Sequence, residues 1–198
     1  MALKFYSLLF LGICLSGKAL AFEQYKTAPK PVFEKSYGHL LVGSNDRKLS
    51  ARTRTHIRKL AARIKKNRRG ACVLFTGPEG TGKIQAVTML GVSLDLSVFR
   101  VDLSAVVSKY IGETEKNLAR VFKHAESRHW ILLFDEADSL FGKRTGISDA
   151  HDRDSNLETG YLLRLLERHH GLVVLTTNQR SNVDPTFKRR CRYEIKFQ

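Results

Sequence analysis

The sequence predicts an α/β fold, a three-layer α/β/α arrangement around a five-stranded, mostly parallel sheet. Three observations carry that expectation. After Gly70, short apolar runs alternate with amphipathic stretches. The runs have the length of buried strands, and the stretches between them are long enough to be crossover helices. The 198 residues suffice for one domain with a sizeable core. At 42% hydrophobic and 27% charged, the composition excludes a wholly disordered chain and a polytopic membrane protein. Three cysteines are too few for a disulfide scaffold.

Taken in order, Met1–Ala21 has the form of a cleaved export signal. Lys4 lies in a short start, Phe5 to Leu15 is almost wholly apolar, and Ala19 and Ala21 supply the small residues before a cut. The run is about half the roughly 20 residues a spanning helix needs. Phe22 to Ser50, with Pro29, Pro31, Gly38 and Gly43, reads as an irregular lead-in. Ala51 to Arg69 predicts a helix, with Ile57, Leu60, Ala61 and Ile64 on one face. Its other faces carry nine Lys and Arg and no acid. They account for nine units of the +15 net charge and leave +6 elsewhere. Such a helix suits nucleic acid or an anionic membrane, although it has no aromatic residue for base stacking. A solvated face is the plainer reading.

The five strands are expected at Ala71–Thr76, Ser97–Asp102, Trp130–Asp135, Leu172–Thr177 and Arg192–Phe197. Helical patterns fall at Lys83–Ser93, Glu115–Ser127 and Asn156–His169. The histidines His151, His169 and His170 accompany no Cys/His set and read as surface residues.

Directly after the first of these strands stands Gly77-Pro78-Glu79-Gly80-Thr81-Gly82-Lys83-Ile84. The form G-x-x-x-x-G-K between strand and helix is a phosphate-binding loop. Glycines turn backbone N–H groups inward around phosphate oxygens, and the helix N-terminus adds partial positive charge. The eighth position ordinarily holds Ser or Thr, whose hydroxyl ligates Mg²⁺. Ile84 has no oxygen, so nucleotide binding should weaken and hydrolysis suffer more. Fifty-two residues after Lys83, Ile131-Leu132-Leu133-Phe134 ends in Asp135-Glu136. Two acids at the carboxyl end of a strand suit a Mg²⁺-organising Asp135 and a water-activating Glu136.

With these motifs in order, the chain from Ala51 to Phe197 resembles the AAA family of ring-forming ATPases, which are P-loop NTPases. Gly77–Lys83 looks like Walker A, and Ile131–Glu136 looks like Walker B. By the resemblance, Asn178 is the first sensor, positioning the attacking water. Arg189 and Arg192, in the segment Asp184–Tyr193, would reach the γ-phosphate of a neighbouring subunit, with Arg190 as a substitute. Tyr110 and Ile111 resemble a pore loop that grips an unfolded polypeptide, and Lys143–Asp154 resembles a second such loop. The resemblance implies ATP and Mg²⁺ as cofactors, a ring of this chain or related AAA subunits as partners, and a polypeptide substrate. The sequence closes at Gln198, after the last strand, so the family's helical lid is expected to be absent. The family's sheet order makes the strands at Cys72 and Cys191 neighbours, within reach of a disulfide, whose Cα atoms lie about 4.4–6.8 Å apart. Two functions stay open, a remodelling ATPase and a hydrolysis-deficient relative. An exported basic binding protein is a third. Export and dependence on ATP pull against each other, and a cytoplasmic location is the alternative.

Overall fold

The computed structural model describes residues 36–43, 49–67, 70–108, 110, 112–137, 160–178 and 185–198. The signal over 1–21, Ile111, Lys143–Asp154 and Asp184 lie outside the described residues.

Six strands, β1 (Gly38–Leu41), β2 (Ala71–Thr76), β3 (Val98–Val101), β4 (Ile131–Phe134), β5 (Leu172–Thr177) and β6 (Tyr193–Lys196), form one sheet in the order β1-β3-β4-β5-β2-β6. All neighbouring pairs are parallel except β1 with β3. The sheet therefore has six strands where the sequence predicts five, and the sixth comes from the segment read as irregular. β1 escapes a periodicity search because it is an antiparallel edge strand in which only Leu40 is buried.

The period-two alternation of the strands separates two cores. Cys72, Leu74, Phe99, Leu132, Phe134, Val173 and Leu175 face one layer, while Val73, Phe75, Val98, Ile131, Leu133 and Val174 face the other. The second layer holds α1 (Ala51–Lys66) and α2 (Lys83–Leu94). The first holds α4 (Glu113–Arg128), helical residues 160–168 and α5 (Pro185–Arg190); a short α3 (Leu103–Val106) precedes α4. β2, β4 and β5 are covered on both faces and read as nearly unbroken apolar runs, whereas β6 alternates Tyr193 and Ile195 with exposed Glu194 and Lys196.

Local chemistry sets the helix ends. Ser50 caps α1, its hydroxyl accepting from the Thr53 N–H at 3.1 Å, and Arg63, Lys65 and Lys66 complement the dipole at the other end. Ile57, Leu60 and Ala61 bury its apolar stripe. Glu113 and Glu115 lie in the first turn of α4, and Arg128 lies in its last. Cys72 of β2 and Cys191, just before β6, are joined by a disulfide with Cα atoms 4.4 Å apart.

Candidate nucleotide site

The carboxyl ends of β2, β5 and β4 lie side by side, so each feeds one part of a single site. After β2 the chain turns at Gly77, whose φ of +149° brings its backbone against β6: a Cβ there would stand 2.4 Å from the Phe197 carbonyl oxygen. Gly82 has φ +91°, and a Cβ would approach Leu49 Cδ2 to 2.8 Å. Both positions therefore need glycine. Gly82 is also the N-cap of α2, and no side chain caps the first turn there. The first amides of α2 present an anion-binding end. Thr81 closes the loop on itself, its hydroxyl donating to the Pro78 carbonyl at 2.7 Å.

Lys83 is buried and its ammonium is held from three sides. It donates to the carbonyls of Gly77 at 2.6 Å and Pro78 at 2.8 Å, and to Asn178 Oδ1 at 2.9 Å. The last bond joins the loop to the end of β5. It places the expected phosphate-binding cation beside the expected sensor, residues 95 apart in sequence.

At the end of β4, Asp135 is committed on both oxygens. Oδ2 accepts from the Arg100 guanidinium of β3 at 2.7 Å, and Oδ1 accepts from the Thr176 hydroxyl of β5 at 2.5 Å. Thr176 in turn accepts from the Glu136 N–H at 3.1 Å. Glu136 is exposed and has φ +53°, a left-handed conformation that a non-glycine residue adopts at a cost of about 1–3 kcal/mol. The Thr176 hydroxyl bond and the bond from Ala137 N–H to the Thr176 carbonyl at 2.8 Å hold that turn. A cavity of about 360 Å³, lined by His39, Arg100, Asp102, Ser104, Asp135 and Glu136, opens beside it.

The two implied cofactors fare differently against these residues. The loop Gly77, Pro78, Glu79, Gly80, Thr81, Gly82 and Lys83 fits the phosphates of ATP, with glycine wherever bulk would intrude. The donor set for Mg²⁺ does not fit. Ile84, half-buried at the start of α2, offers no oxygen, and Asp135 already carries a cation of its own chain.

The arginines expected to serve a neighbour stand apart from this cluster. Arg189 donates to Thr186 Oγ1 at 3.4 Å, Arg190 pairs with Glu167, and Arg192 lines a groove beside α1. Tyr110 is 73% exposed before α4. Sequence reasoning missed Arg100 and the hydroxyl of Thr176. Arg100 had a visible signal, a charge inside the apolar run Ser97–Asp102, where burial demands a partner.

A phosphate loop after β2, a lysine–asparagine contact bridging to β5 and an acidic turn after β4 define a P-loop nucleotide-binding domain. Residues 73–198 match the sequence model of the ATPase family associated with various cellular activities (AAA). The chain belongs to the AAA family. It is 34% identical over 128 residues to the ATPase family gene 2 protein of Schizosaccharomyces pombe, covering 62% of this chain and 15% of that one. It is 32% identical over 132 residues to a probable 26S proteasome regulatory subunit 10B of Caenorhabditis elegans, covering 64% and 32%. To the peroxisomal ATPase PEX6 of Arthrobotrys oligospora it is 31% identical over 144 residues, covering 69% and 12%. The chain thus spans about a third or less of these relatives' lengths. A chain of the solved E. coli MS115-1 HORMA:CdnC:Trip13 complex shares the fold, with TM-score 0.68 and 16% identity over 86% of this chain and 72% of that one.

Proposed function

We propose that this AAA domain binds ATP through Gly77–Lys83 and serves as a nucleotide-holding subunit of a ring. The ring is built with its own copies or related AAA subunits and acts on a polypeptide. Its own hydrolysis is slow or lapsed. One observation carries the reading: the phosphate cradle around Lys83 is complete, while Asp135 is bonded to Arg100 and Thr176 beside an oxygen-free Ile84. Bound ATP supplies the phosphate charge that the loop amides and Lys83 hold. In a ring, Arg189 and Arg192 would lend charge to a neighbour's site, and Tyr110 with Ile111 would touch the polypeptide.

Calorimetric titration of the full chain with ATP, beside a phosphate-release assay, tests this. Binding with negligible turnover supports the reading; absence of binding refutes it. Turnover that Glu136→Gln abolishes would favour the second reading, a working remodelling ATPase, which Glu136 and Asn178, placed as in the family's motifs, support. The Met1–Ala21 pattern supports export. N-terminal sequencing of the mature protein would begin at Phe22 if the signal is cut, and at Met1 or Ala2 if the chain stays in the cytoplasm.

A further inference from the structure

A row of polar side chains crosses β3, β4 and β5 on the face that packs against α2. Arg100, Asp135 and Thr176 each stand two residues after an apolar side chain of that core, Val98, Leu133 and Val174. Thr176 is fully buried. Its hydroxyl donates to Asp135 Oδ1 at 2.5 Å and accepts from the Glu136 N–H at 3.1 Å, so one oxygen holds both acids of the turn after β4. The two residues that follow Thr176 hold the phosphate loop. The Thr177 carbonyl accepts from the Gly77 N–H at 3.2 Å, and Asn178 Oδ1 accepts from Lys83 at 2.9 Å. Three consecutive residues are thus bonded to the loop on one side and to the acidic turn on the other.

We propose, on the reading that Gly77–Lys83 holds ATP, that Thr176 is a positioning residue that carries occupancy of the phosphate loop to Glu136. Coupling of this kind needs an element with two arrangements that both sites bias. The turn at Glu136 is such an element. At φ +53° it is strained, and it keeps that shape while the hydroxyl and carbonyl of Thr176 bond the amides of Glu136 and Ala137. When Lys83 and Asn178 both engage phosphate, the end of β5 is fixed, and with it the oxygen on which the turn hangs. An empty loop leaves that strand end freer to open, and Glu136 with it. Arg100 holds the other oxygen of Asp135 from β3, so the carboxylate stays placed while the Glu136 amide responds.

Hydrogen exchange at the Glu136 and Ala137 amides of the full chain, with and without ATP, tests this beside calorimetry of ATP binding. In the natural chain ATP should slow exchange at Glu136 about threefold or more. Thr176→Val nearly keeps the shape of the side chain and removes its oxygen. Exchange at Glu136 should then rise about tenfold and lose its response to ATP, while ATP affinity changes less than about threefold. Thr176→Ser retains the hydroxyl and should retain the response. A purely structural Thr176 would speed exchange in the valine variant yet leave the ATP response in place, and that result overturns the proposal. So does unchanged Glu136 exchange in the valine variant. A natural chain that binds ATP without slowing Glu136 exchange overturns it too, and this measurement needs no variant to fold. Absence of ATP binding in the calorimeter would instead refute the reading of the loop, and the relay with it.

Discussion

The Arg100 guanidinium lies 2.7 Å from the Asp135 carboxylate, joining β3 to the strand end expected to organise a divalent cation. Arg100 is about a third exposed on its side chain, whereas Asp135 keeps only a tenth of its own exposure, so the pair is held on the carboxylate side. A fixed monovalent partner there changes what the nucleotide needs. ATP affinity should change less than about threefold when Mg²⁺ is chelated. Arg100→Gln combined with Ile84→Thr should raise that dependence to about tenfold or more, because a hydroxyl ligand returns as the competing cation leaves. Calorimetry in EDTA and in Mg²⁺ reads both. Strong Mg²⁺ dependence in the natural chain would contradict the role given to Arg100.

Ile84→Thr alone tests how much of the deficit lies at one position. Phosphate release should rise about tenfold or more above the natural chain, and adding Glu136→Gln should remove the gain. A positioned general base is worth roughly 10²–10⁴-fold. A variant as silent as the parent would place the block at Arg100 and Asp135.

The Cys72–Cys191 bond closes a separation of 119 residues across the two strands that flank the phosphate loop. Loop-closure entropy for a 100-residue loop corresponds to about 4.7 kcal/mol, and measured losses usually reach about 2–4 kcal/mol. Urea unfolding of the oxidised chain against Cys191→Ala should show a loss in that range. Two free thiols counted at these positions under denaturing conditions would show that the bond is absent from the protein.

His169 predicts a pH effect. Read from the sequence as a surface residue, it is instead buried, its Nδ1 lies 3.2 Å from Glu126 Oε1, and its Nε2 has no hydrogen-bond partner among the described residues. Burial lowers its pKa below the ordinary 6.5, with Glu126 opposing in part. The unfolded chain therefore takes up the proton first, and stability is lost as pH falls through the ordinary histidine range. The melting temperature should drop between pH 7.5 and pH 5.5, and His169→Gln should shrink that drop. An undiminished drop would assign it to other groups.

Legibility followed burial and spacing. β2, β4 and β5 stood out because parallel strands covered on both faces carry unbroken apolar runs, and the phosphate loop stood out because its chemistry is contiguous. β1 did not, since an edge strand with one buried residue carries no pattern. Arg100 could have been flagged as a charge within a strand, but its partner could not be named from position alone.

By itself the sequence determined five of the six strands and the longer helices, where the phosphate loop lies, and that Ile84 brings no oxygen to it. Those properties depend on neighbours in the chain, through side-chain period, glycine placement and the chemistry of one residue. Only the tertiary structure decided that Arg100 sits on Asp135 and that Asn178 meets Lys83. Each depends on strand order. The order β3-β4-β5-β2-β6 brings together groups 35 to 95 residues apart. Packing of the two cores against the sheet selects that order, and no local spacing encodes it.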